Sequence, residues 1–271
     1  MAPLVPGLCS VTLRDHLPAE VVELARSAGL RAIEWGADVH VVPGDLTVAC
    51  DVAARCVDAG LRCPSYGSYL WAGAADGRGI ATLDAVLDSA EALGAEVVRM
   101  WCRSGLEPQD ATPEQRGHVV RDVTAAADAA ARRGLAVALE HHPGTLTLTA
   151  ASTRAILADV DRPNLYSYWQ PRPGSPPPEA LGELASLLDD VAHLHVFSWS
   201  SSGGRFPLAD GAALWRPALA AAADAPGRWA GTRVAHLEFV AGDDPQQLAA
   251  DAATLRSWLA DAAGAASVQV A

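Results

Sequence analysis

Long basic stretches are absent from this sequence, and so are the hydrophobic segments that direct a protein to a membrane. The 271 residues carry a formal net charge of −12, with acidic and basic residues interspersed. Because nucleic-acid binding needs a basic surface that neutralises phosphates, DNA and RNA are not expected partners. The segment MAPLVPGLCSVTLRD at residues 1–15 lacks the basic start and apolar centre of a signal peptide. We therefore expect a cytoplasmic protein with no membrane partner.

Cysteine pairs at metal-binding or redox spacing are also missing. The five cysteines are scattered, with no CxxC pair and no Cys/His cluster at zinc spacing. We interpret them as small buried hydrophobic residues, with a nucleophilic cysteine as the alternative. Aromatic residues make up only 6% of the chain and hydrophobic residues 50%. A large core of Ala, Val and Leu can therefore form without disulfide bonds.

Short apolar runs alternate with longer alanine-rich segments of helical periodicity. This repeated order of strand and helix predicts a parallel sheet. The strand candidates are 7–12, 30–35, 61–67, 95–101, 134–140, 164–170, 191–197 and 232–239. The helix candidates are 18–28, 47–59, 81–93, 113–133, 150–159, 178–189, 212–223 and 245–262. Eight such units predict an α/β protein, a (β/α)8 TIM barrel in a single domain over residues 1–271, with 261–271 as a weakly ordered tail.

Two loops that follow late strand candidates have unusual compositions. Residues 171–178 are rich in proline, and residues 198–211 are rich in glycine and serine. The βα loops of a barrel shape its active site. We interpret both segments as active-site loops rather than as domain boundaries.

Four late apolar runs end in a polar residue that can bind a metal ion. They end at Glu140, Gln170, His195 and Glu238. Because the carboxyl ends of barrel strands converge on one mouth, these side chains are expected to meet there. Two carboxylates, an amide oxygen and an imidazole nitrogen suit Mn²⁺, Co²⁺, Mg²⁺ or Zn²⁺. The sequence therefore predicts a divalent metal site, although each residue alone is also typical of a solvated strand end.

Other polar residues near the strand ends are secondary candidates. By period-2 alternation, His193 and His236 lie one layer below the ligands, as hydrogen-bonded core residues or as supports for the ligands. A substrate-binding role is assigned to Glu34, Trp101, His142 and Arg205. For each of these, a structural role is the alternative, for example an ion pair of Glu34. Arg99 could bind a phosphate or carboxylate group, or be structural.

The sequence resembles the sugar phosphate isomerase/epimerase superfamily, whose members are xylose-isomerase-like TIM barrels. The resemblance covers most of the chain and is carried by LEHHPGTLTLT (139–149), YWQP (168–171), HLHVFSW (193–199), PLADGAALW (207–215) and HLEFV (236–240). It implies a metal ion bound by acidic residues on the fifth and eighth strands, a His on the seventh and an Asp on the sixth. It also implies a homo-oligomer, since relatives often form dimers or tetramers.

These implied ligands correspond to Glu140, Glu238, His195 and the position of Gln170. The glutamine departs from the pattern because it brings no charge, and Pro173 stands where epimerases carry a His. The resemblance also implies that Glu140 and Glu238 act as a paired acid and base. The metal ion polarises a carbonyl and stabilises an enediolate.

A metal-dependent isomerase or epimerase of a sugar, sugar phosphate or related polyhydroxy carbonyl compound is the leading functional hypothesis. A dehydratase is the first alternative, because the same enediolate can expel a β-hydroxyl group. A barrel that binds a sugar without turnover is the second alternative, and Gln170 favours it.

Overall fold

A closed barrel of eight parallel strands forms the centre of the molecule. The computed structural model describes residues 4–74, 83–103, 105–225 and 227–269. The strands follow chain order, and β8 pairs with β1 to close the barrel. They are β1 (Val5–Cys9), β2 (Ala32–Gly36), β3 (Arg62–Ala72), β4 (Val97–Cys102), β5 (Ala136–Glu140), β6 (Leu165–Trp169), β7 (Val191–Val196) and β8 (Val234–Leu237). The predicted (β/α)8 barrel is confirmed.

Each strand is followed by a helix. The helices are α1 (Pro18–Ser27), α2 (Leu46–Asp58), α3 (Leu83–Leu93), α4 (Pro113–Ala131), α5 (Ala150–Val160), α6 (Pro177–Leu187), α7 (Ala212–Asp224) and α8 (Pro245–Gln269). Local sequence explains where several of them begin. For example, Thr112 accepts a hydrogen bond from the backbone N–H of Gln115, directly before Pro113 opens α4. Within the described ranges, no helix is long and apolar enough to cross a membrane.

The largest differences between the observed and expected element boundaries lie at three places. The first strand, expected at 7–12, ends at Cys9 because Ser10–Leu13 form a 3-10 helix. The third strand continues to Ala72 instead of ending at residue 67, through an irregularity in its pairing with β4. Helix α8 extends to Gln269, into the segment 261–271 for which a tail is expected. Part of the third helix candidate, 81–82, lies outside the described residues.

The buried core is mostly apolar and also contains polar side chains. Most buried hydrophobic side chains pack in one cluster that includes both strand and helix residues. The strands are buried on both faces, as in other parallel sheets. Buried polar side chains at the strand ends include Glu34, Arg99, Glu140, Gln170 and His195.

The cysteines follow the sequence expectation with one exception. All five are free, and four of them are buried. Cys50 is exposed, because it lies in α2 between buried positions Ala49 and Val52. The expectation of a buried residue is wrong there.

Candidate metal centre

The four side chains predicted as ligands meet at the carboxyl ends of β5 to β8. Glu140 ends β5, Gln170 follows β6, His195 lies in β7, and Glu238 follows β8. One ligand atom from each of Glu140, His195 and Glu238 lies within 4.8 Å of the others. Gln170 Oε1 lies 3.3 Å from His195 Nδ1, and Gln170 Nε2 donates to Glu140 Oε1 at 3.1 Å. The structure therefore brings the whole predicted set to one place.

His195 lies at the centre of this cluster. Its Nδ1 is 3.7 Å from Glu140 Oε1 and 3.5 Å from Glu238 Oε2. On the other side of the ring, Nε2 is 3.2 Å from Glu34 Oε1. Since both nitrogens face oxygen atoms, the doubly protonated imidazolium satisfies the surroundings best.

The charges around His195 shift several pKa values. Burial by itself lowers the pKa of His195, but Glu238 and Glu34 outweigh burial and hold it well above the usual value. Burial raises the pKa of Glu140, and Arg99 and His195 together reverse that effect and lower it to about 2. Burial raises the pKa of Glu238. The carboxylates of Glu238 and Glu34 thus favour the protonated form of His195.

The donor set fits a divalent cation. Two carboxylates and an imidazole nitrogen lie within 4.8 Å of one another, the amide oxygen of Gln170 lies 3.3 Å from the same imidazole nitrogen, and all four side chains are buried. Imidazole binds a cation only after losing its proton, so metal binding at His195 Nδ1 would release one. The buried acidic and imidazole groups could hold a metal ion, and their charge alone does not identify which one.

Arg99 belongs to this centre as a structural cation. Its guanidinium is buried, donates through Nε to Glu34 Oε1 at 3.0 Å and through Nη1 to Glu140 Oε2. Both carboxylates are thereby satisfied from one side chain. Of the two roles that the sequence leaves open for Arg99, the structural one fits, because its Nε and Nη1 donate to carboxylates in the core.

Glycine at position 67 makes room for this ion pair. Gly67 lies on β3 beside Arg99 on β4. A Cβ atom at Gly67 would lie 2.9 Å from Arg99 Nη2 and 2.9 Å from Glu34 Oε1. The absence of a side chain therefore lets the two charged groups meet inside the barrel.

Glu34 supports His195 rather than facing the barrel mouth. It is completely buried and also accepts a hydrogen bond from Ser65 Oγ at 2.8 Å. The Tyr168 hydroxyl in turn lies 2.7 Å from Ser65 Oγ. Because its oxygens are held by Arg99, His195 and Ser65, the expected substrate contact of Glu34 is replaced by a supporting role. Tyr168 could have been found from parity, since it precedes Gln170 by two residues.

The lower histidines form an aromatic layer around Tyr168. The ring of Tyr168 lies 5.2 Å from that of His193 and 6.2 Å from that of His236. Nδ1 of His193 accepts the backbone N–H of Val234 at 3.1 Å. Burial lowers the pKa of His236 to about 4. Both are therefore neutral core residues, and Glu34 supports His195 from below instead of them.

Cys9 was not a candidate in the sequence but lies in the same layer. Its thiol donates to Glu34 Oε1 at 3.4 Å. Burial, reinforced by the charge of Glu34, raises the pKa of Cys9 to about 12. The residue is a protonated core thiol, which matches the sequence interpretation of the cysteines.

Trp101 and His142 stack on each other at the mouth. The centroids of their rings are 4.5 Å apart. Trp71 stacks on Trp101 at 5.8 Å with an angle of 3° between the ring planes. Trp101 Nε1 donates to Glu140 Oε2. Both Trp71 and His142 therefore pack against Trp101, and the polar edge of its ring is bound to the carboxylate.

Arg205 lies farther out on the rim. Its guanidinium is 4.4 Å from the ring centroid of Phe239 and forms an ion pair with Asp243. Since Phe239 directly follows Glu238, Arg205 covers the turn that leads away from the centre. The structure thus gives Arg205 a structural partner, and a substrate contact would have to compete with it.

The two loops expected at the active site lie next to each other. Gly174 in the first loop approaches Ser201 in the second, since a Cβ atom at Gly174 would lie 2.6 Å from the backbone N of Ser201. A cleft of about 190 Å³ separates parts of the same loops and includes Arg172, Trp199 and Asp210 in its lining. Both segments are βα loops, as predicted.

Several solved structures share this fold. The chain is similar to the probable 3-DHS dehydratase AsbF from Bacillus anthracis, with a TM-score of 0.77, 19% identity, and coverage of 93% of this chain and 99% of that one. It is also similar to a xylose isomerase-like TIM barrel protein from Mycobacterium smegmatis in complex with magnesium, with a TM-score of 0.69, 17% identity, and coverage of 95% of this chain and 97% of that one. For D-allulose 3-epimerase from Methylomonas sp. in complex with D-allulose, the TM-score is 0.67, the identity 19%, and the coverage 95% of this chain and 97% of that one. At these identities the likeness shows the fold alone.

Sequence comparison gives the family directly. Among curated proteins, none matches this chain significantly. The sequence model of one family, described as the xylose isomerase-like TIM barrel, matches residues 22–171, which is more than half of the chain. This protein therefore belongs to the xylose isomerase-like TIM barrel family.

Proposed function

We propose that this protein is a divalent-metal-dependent isomerase or epimerase of a sugar, sugar phosphate or related polyhydroxy carbonyl compound. The observation that carries the proposal is the convergence of Glu140, His195 and Glu238 within 4.8 Å at the mouth of the barrel. Gln170 completes the proposed ligand set through its amide oxygen. Structural neighbours in complex with D-allulose and with magnesium support this assignment.

The composition of the chain favours metal-assisted chemistry over covalent carbonyl chemistry. The sequence contains no lysine. A Schiff base between enzyme and substrate, which requires a lysine amine, is therefore not available. A bound Mn²⁺, Co²⁺, Mg²⁺ or Zn²⁺ ion would polarise the carbonyl and stabilise the negative charge that develops on its oxygen.

The protein side chains would bind the substrate and move its proton. The carboxylates of Glu140 and Glu238 are the proton acceptors nearest the proposed metal position. Removal of the proton beside the carbonyl gives an enediolate, and return of a proton to it gives the product. His142 is the proposed substrate contact on the aromatic side of the mouth, since it is only half-buried.

A dehydratase acting on a similar substrate is the second candidate. It is favoured by the similarity to the probable 3-DHS dehydratase and needs the same first step. In this case the intermediate expels a β-hydroxyl group. A barrel that binds a sugar without turnover is the third candidate, and the uncharged Gln170 favours it.

Metal content and solvent exchange together test the proposal. The purified protein would be analysed for bound metal and then incubated in D₂O with Mn²⁺ or Co²⁺ and a panel of ketopentoses, ketohexoses and 3-DHS. NMR would detect deuterium at the carbon beside the carbonyl. Metal-dependent exchange with rearrangement supports the isomerase or epimerase, and loss of water supports the dehydratase. Sugar binding without exchange would leave only the non-catalytic candidate.

A further inference from the structure

The two carboxylates of the centre have very different surroundings. Glu140 is 2% exposed and accepts three N–H donors, from Arg99 and Trp101 on Oε2 and from Gln170 on Oε1. Glu238 is 9% exposed. Its Oε2 lies 3.5 Å from His195 Nδ1, and its carboxylate accepts no hydrogen bond from the part of the chain that the structure describes. One carboxylate is held on both oxygens, and the other is not held by hydrogen bonds within that part.

The donors on Glu140 determine how it can bind a cation. Arg99 Nη1 and Trp101 Nε1 share the same oxygen, Oε2, and both come from β4. Oε1 is the oxygen that faces His195 Nδ1, at 3.7 Å. If the amide of Gln170 turns its oxygen to the cation, Oε1 is released while Oε2 remains held. Glu140 would therefore bind a cation through one oxygen, in a fixed orientation.

The same donors make Glu140 a poor proton acceptor. A carboxylate oxygen that already accepts two N–H groups, one of them from a buried guanidinium, is stabilised as the anion. Protonation of this oxygen would require at least one buried donor to lose its partner, which is costly. Glu238, which directly follows β8 at the carboxyl end of the barrel, has no such requirement.

We infer that Arg99 and Trp101 are positioning residues that hold Glu140 as a one-oxygen metal ligand, and that Glu238 alone transfers the substrate proton, on one face of the substrate. This inference rests on the proposed function and replaces the paired acid and base roles implied by the sequence resemblance.

A single proton carrier limits the reactions that the centre can perform. Glu238 takes the proton from the carbon beside the carbonyl, and the C–H electron pair forms the C=C bond of an enediolate. For isomerisation, Glu238 returns the proton to the former carbonyl carbon, and the hydroxyl hydrogen passes to the former carbonyl oxygen. For dehydration, the enediolate restores its carbonyl and expels the β-hydroxyl, which takes the proton from Glu238 and leaves as water.

Inversion at the carbon is not available by this route, because it needs a second acid on the opposite face. A single proton carrier therefore favours aldose–ketose isomerisation or dehydration over epimerisation. Neither isomerisation nor dehydration by this route needs an oxidant, a reductant or a further reactant.

Metal affinity tests the hold on Glu140 independently of turnover. Mn²⁺ titrations followed by EPR would compare the wild type with Trp101→Phe, which removes the N–H donor but keeps an aromatic ring. We expect Trp101→Phe to bind Mn²⁺ about 10-fold more weakly or worse, the usual effect of losing a group that orients a ligand. Trp101→His, which restores a ring N–H, should recover part of the affinity.

Trp71→Phe is the matched control. It makes the same substitution one ring away in the same stack, and its Nε1 has no hydrogen-bond partner in the described structure. We expect its Mn²⁺ affinity to stay within about twofold of the wild type. Equal weakening by Trp101→Phe and Trp71→Phe, or no weakening by Trp101→Phe, would overturn the positioning role even if the wild type turns over a substrate.

Proton transfer is tested with Glu238→Gln and Glu140→Gln at saturating Mn²⁺ in D₂O, using the ketose and 3-DHS panel. We expect Glu238→Gln to lose at least about 100-fold in solvent exchange while it still binds Mn²⁺. Glu140→Gln should need more Mn²⁺ but retain exchange. Loss of exchange in Glu140→Gln at saturating Mn²⁺, or an inverted product from the wild type, would overturn the assignment to Glu238. A wild type with neither Mn²⁺ binding nor exchange overturns the proposed function itself.

Discussion

The two halves of the barrel contribute different chemistry to the same centre. Strands β5 to β8 supply the four proposed ligands, whose side chains point at one another. Strands β2 and β4 supply the groups that contact those ligands, which are Glu34, Arg99 and Trp101. Strands β1 and β3 supply Cys9 and Ser65, which donate hydrogen bonds to Glu34. A site built only from the second half would place buried carboxylates side by side without compensation. The groups of the first half therefore offset the cost of burying the carboxylates of the second half.

Removal of the buried cation should break this division most strongly. Arg99→Met leaves Glu34 and Glu140 buried without their guanidinium partner, and we expect the free energy of unfolding to fall by about 3–5 kcal/mol. Urea unfolding of the metal-free protein would measure it. Arg116→Met is the control, because the Arg116–Asp159 pair is partly exposed and should contribute about 1 kcal/mol or less. Equal losses from the two variants would contradict the supporting role of the first half.

The pH dependence of stability should reveal the buried, neutral state of His236, which lies on β8 below the proposed ligands. Burial lowers the pKa of His236 from 6.5 to about 4, so the native state favours the neutral ring. This stability is fully present above pH 6.5 and is lost as the pH falls toward 4, by about 3 kcal/mol in all. Urea unfolding of the metal-free protein at several pH values would be compared with that of His236→Gln. If both show the same dependence, His236 does not contribute it.

Filling the space beside the buried ion pair should have a smaller effect. Gly67→Ala adds a methyl group that collides with Arg99 and Glu34, and overpacking of this kind costs about 1–3 kcal/mol. Thermal or urea unfolding would report the loss. Gly182→Ala provides the comparison, since it lies in α6 with open space around it and should be neutral or slightly stabilising. A Gly67→Ala protein as stable as Gly182→Ala would show that the ion pair can shift at no cost.

A change in the charge of one proposed ligand on the second half should have the smallest effect of these variants. Gln170→Glu keeps the side-chain length and adds a negative charge to the proposed ligand set. We expect Mn²⁺ to bind about tenfold more tightly, because ligand charge tunes the affinity of oxygen sites. EPR titration would measure the difference. The control is Gln246→Glu, which makes the same substitution at an exposed position. Unchanged affinity would place Gln170 outside the ligand set.

The ligand half of the site could be predicted from sequence because its signal is local. Glu140, Gln170, His195 and Glu238 each end an apolar run, and barrel geometry then brings strand ends together. The order of strands and helices was predictable for the same reason. Gln170 was also visible as a departure from the family pattern.

The supporting half was not predictable because its contacts cross the barrel. Arg99 lies inside β4, and nothing near it in the sequence shows that its partners are Glu34 and Glu140. The sequence assigns Trp101 to substrate binding, because it shows neither the neighbours Trp71 and His142 nor the direction of the N–H group. The early end of β1 depends on the 3-10 helix that follows Cys9.

The closure between the first and last strands gives the centre an additional property. The backbone N–H of Phe239, next to Glu238, donates to Thr12 Oγ1 beyond the end of β1 at 2.9 Å. Strands β5 to β7 leave the ribosome before β8 does, so the ring of ligands is completed only when β8 docks against β1. A cation that joins Glu238 to Glu140 would bind the closed ring and not the open one, and so would draw the folding equilibrium toward closure. Metal supply during synthesis would then influence the yield of folded protein as well as its activity.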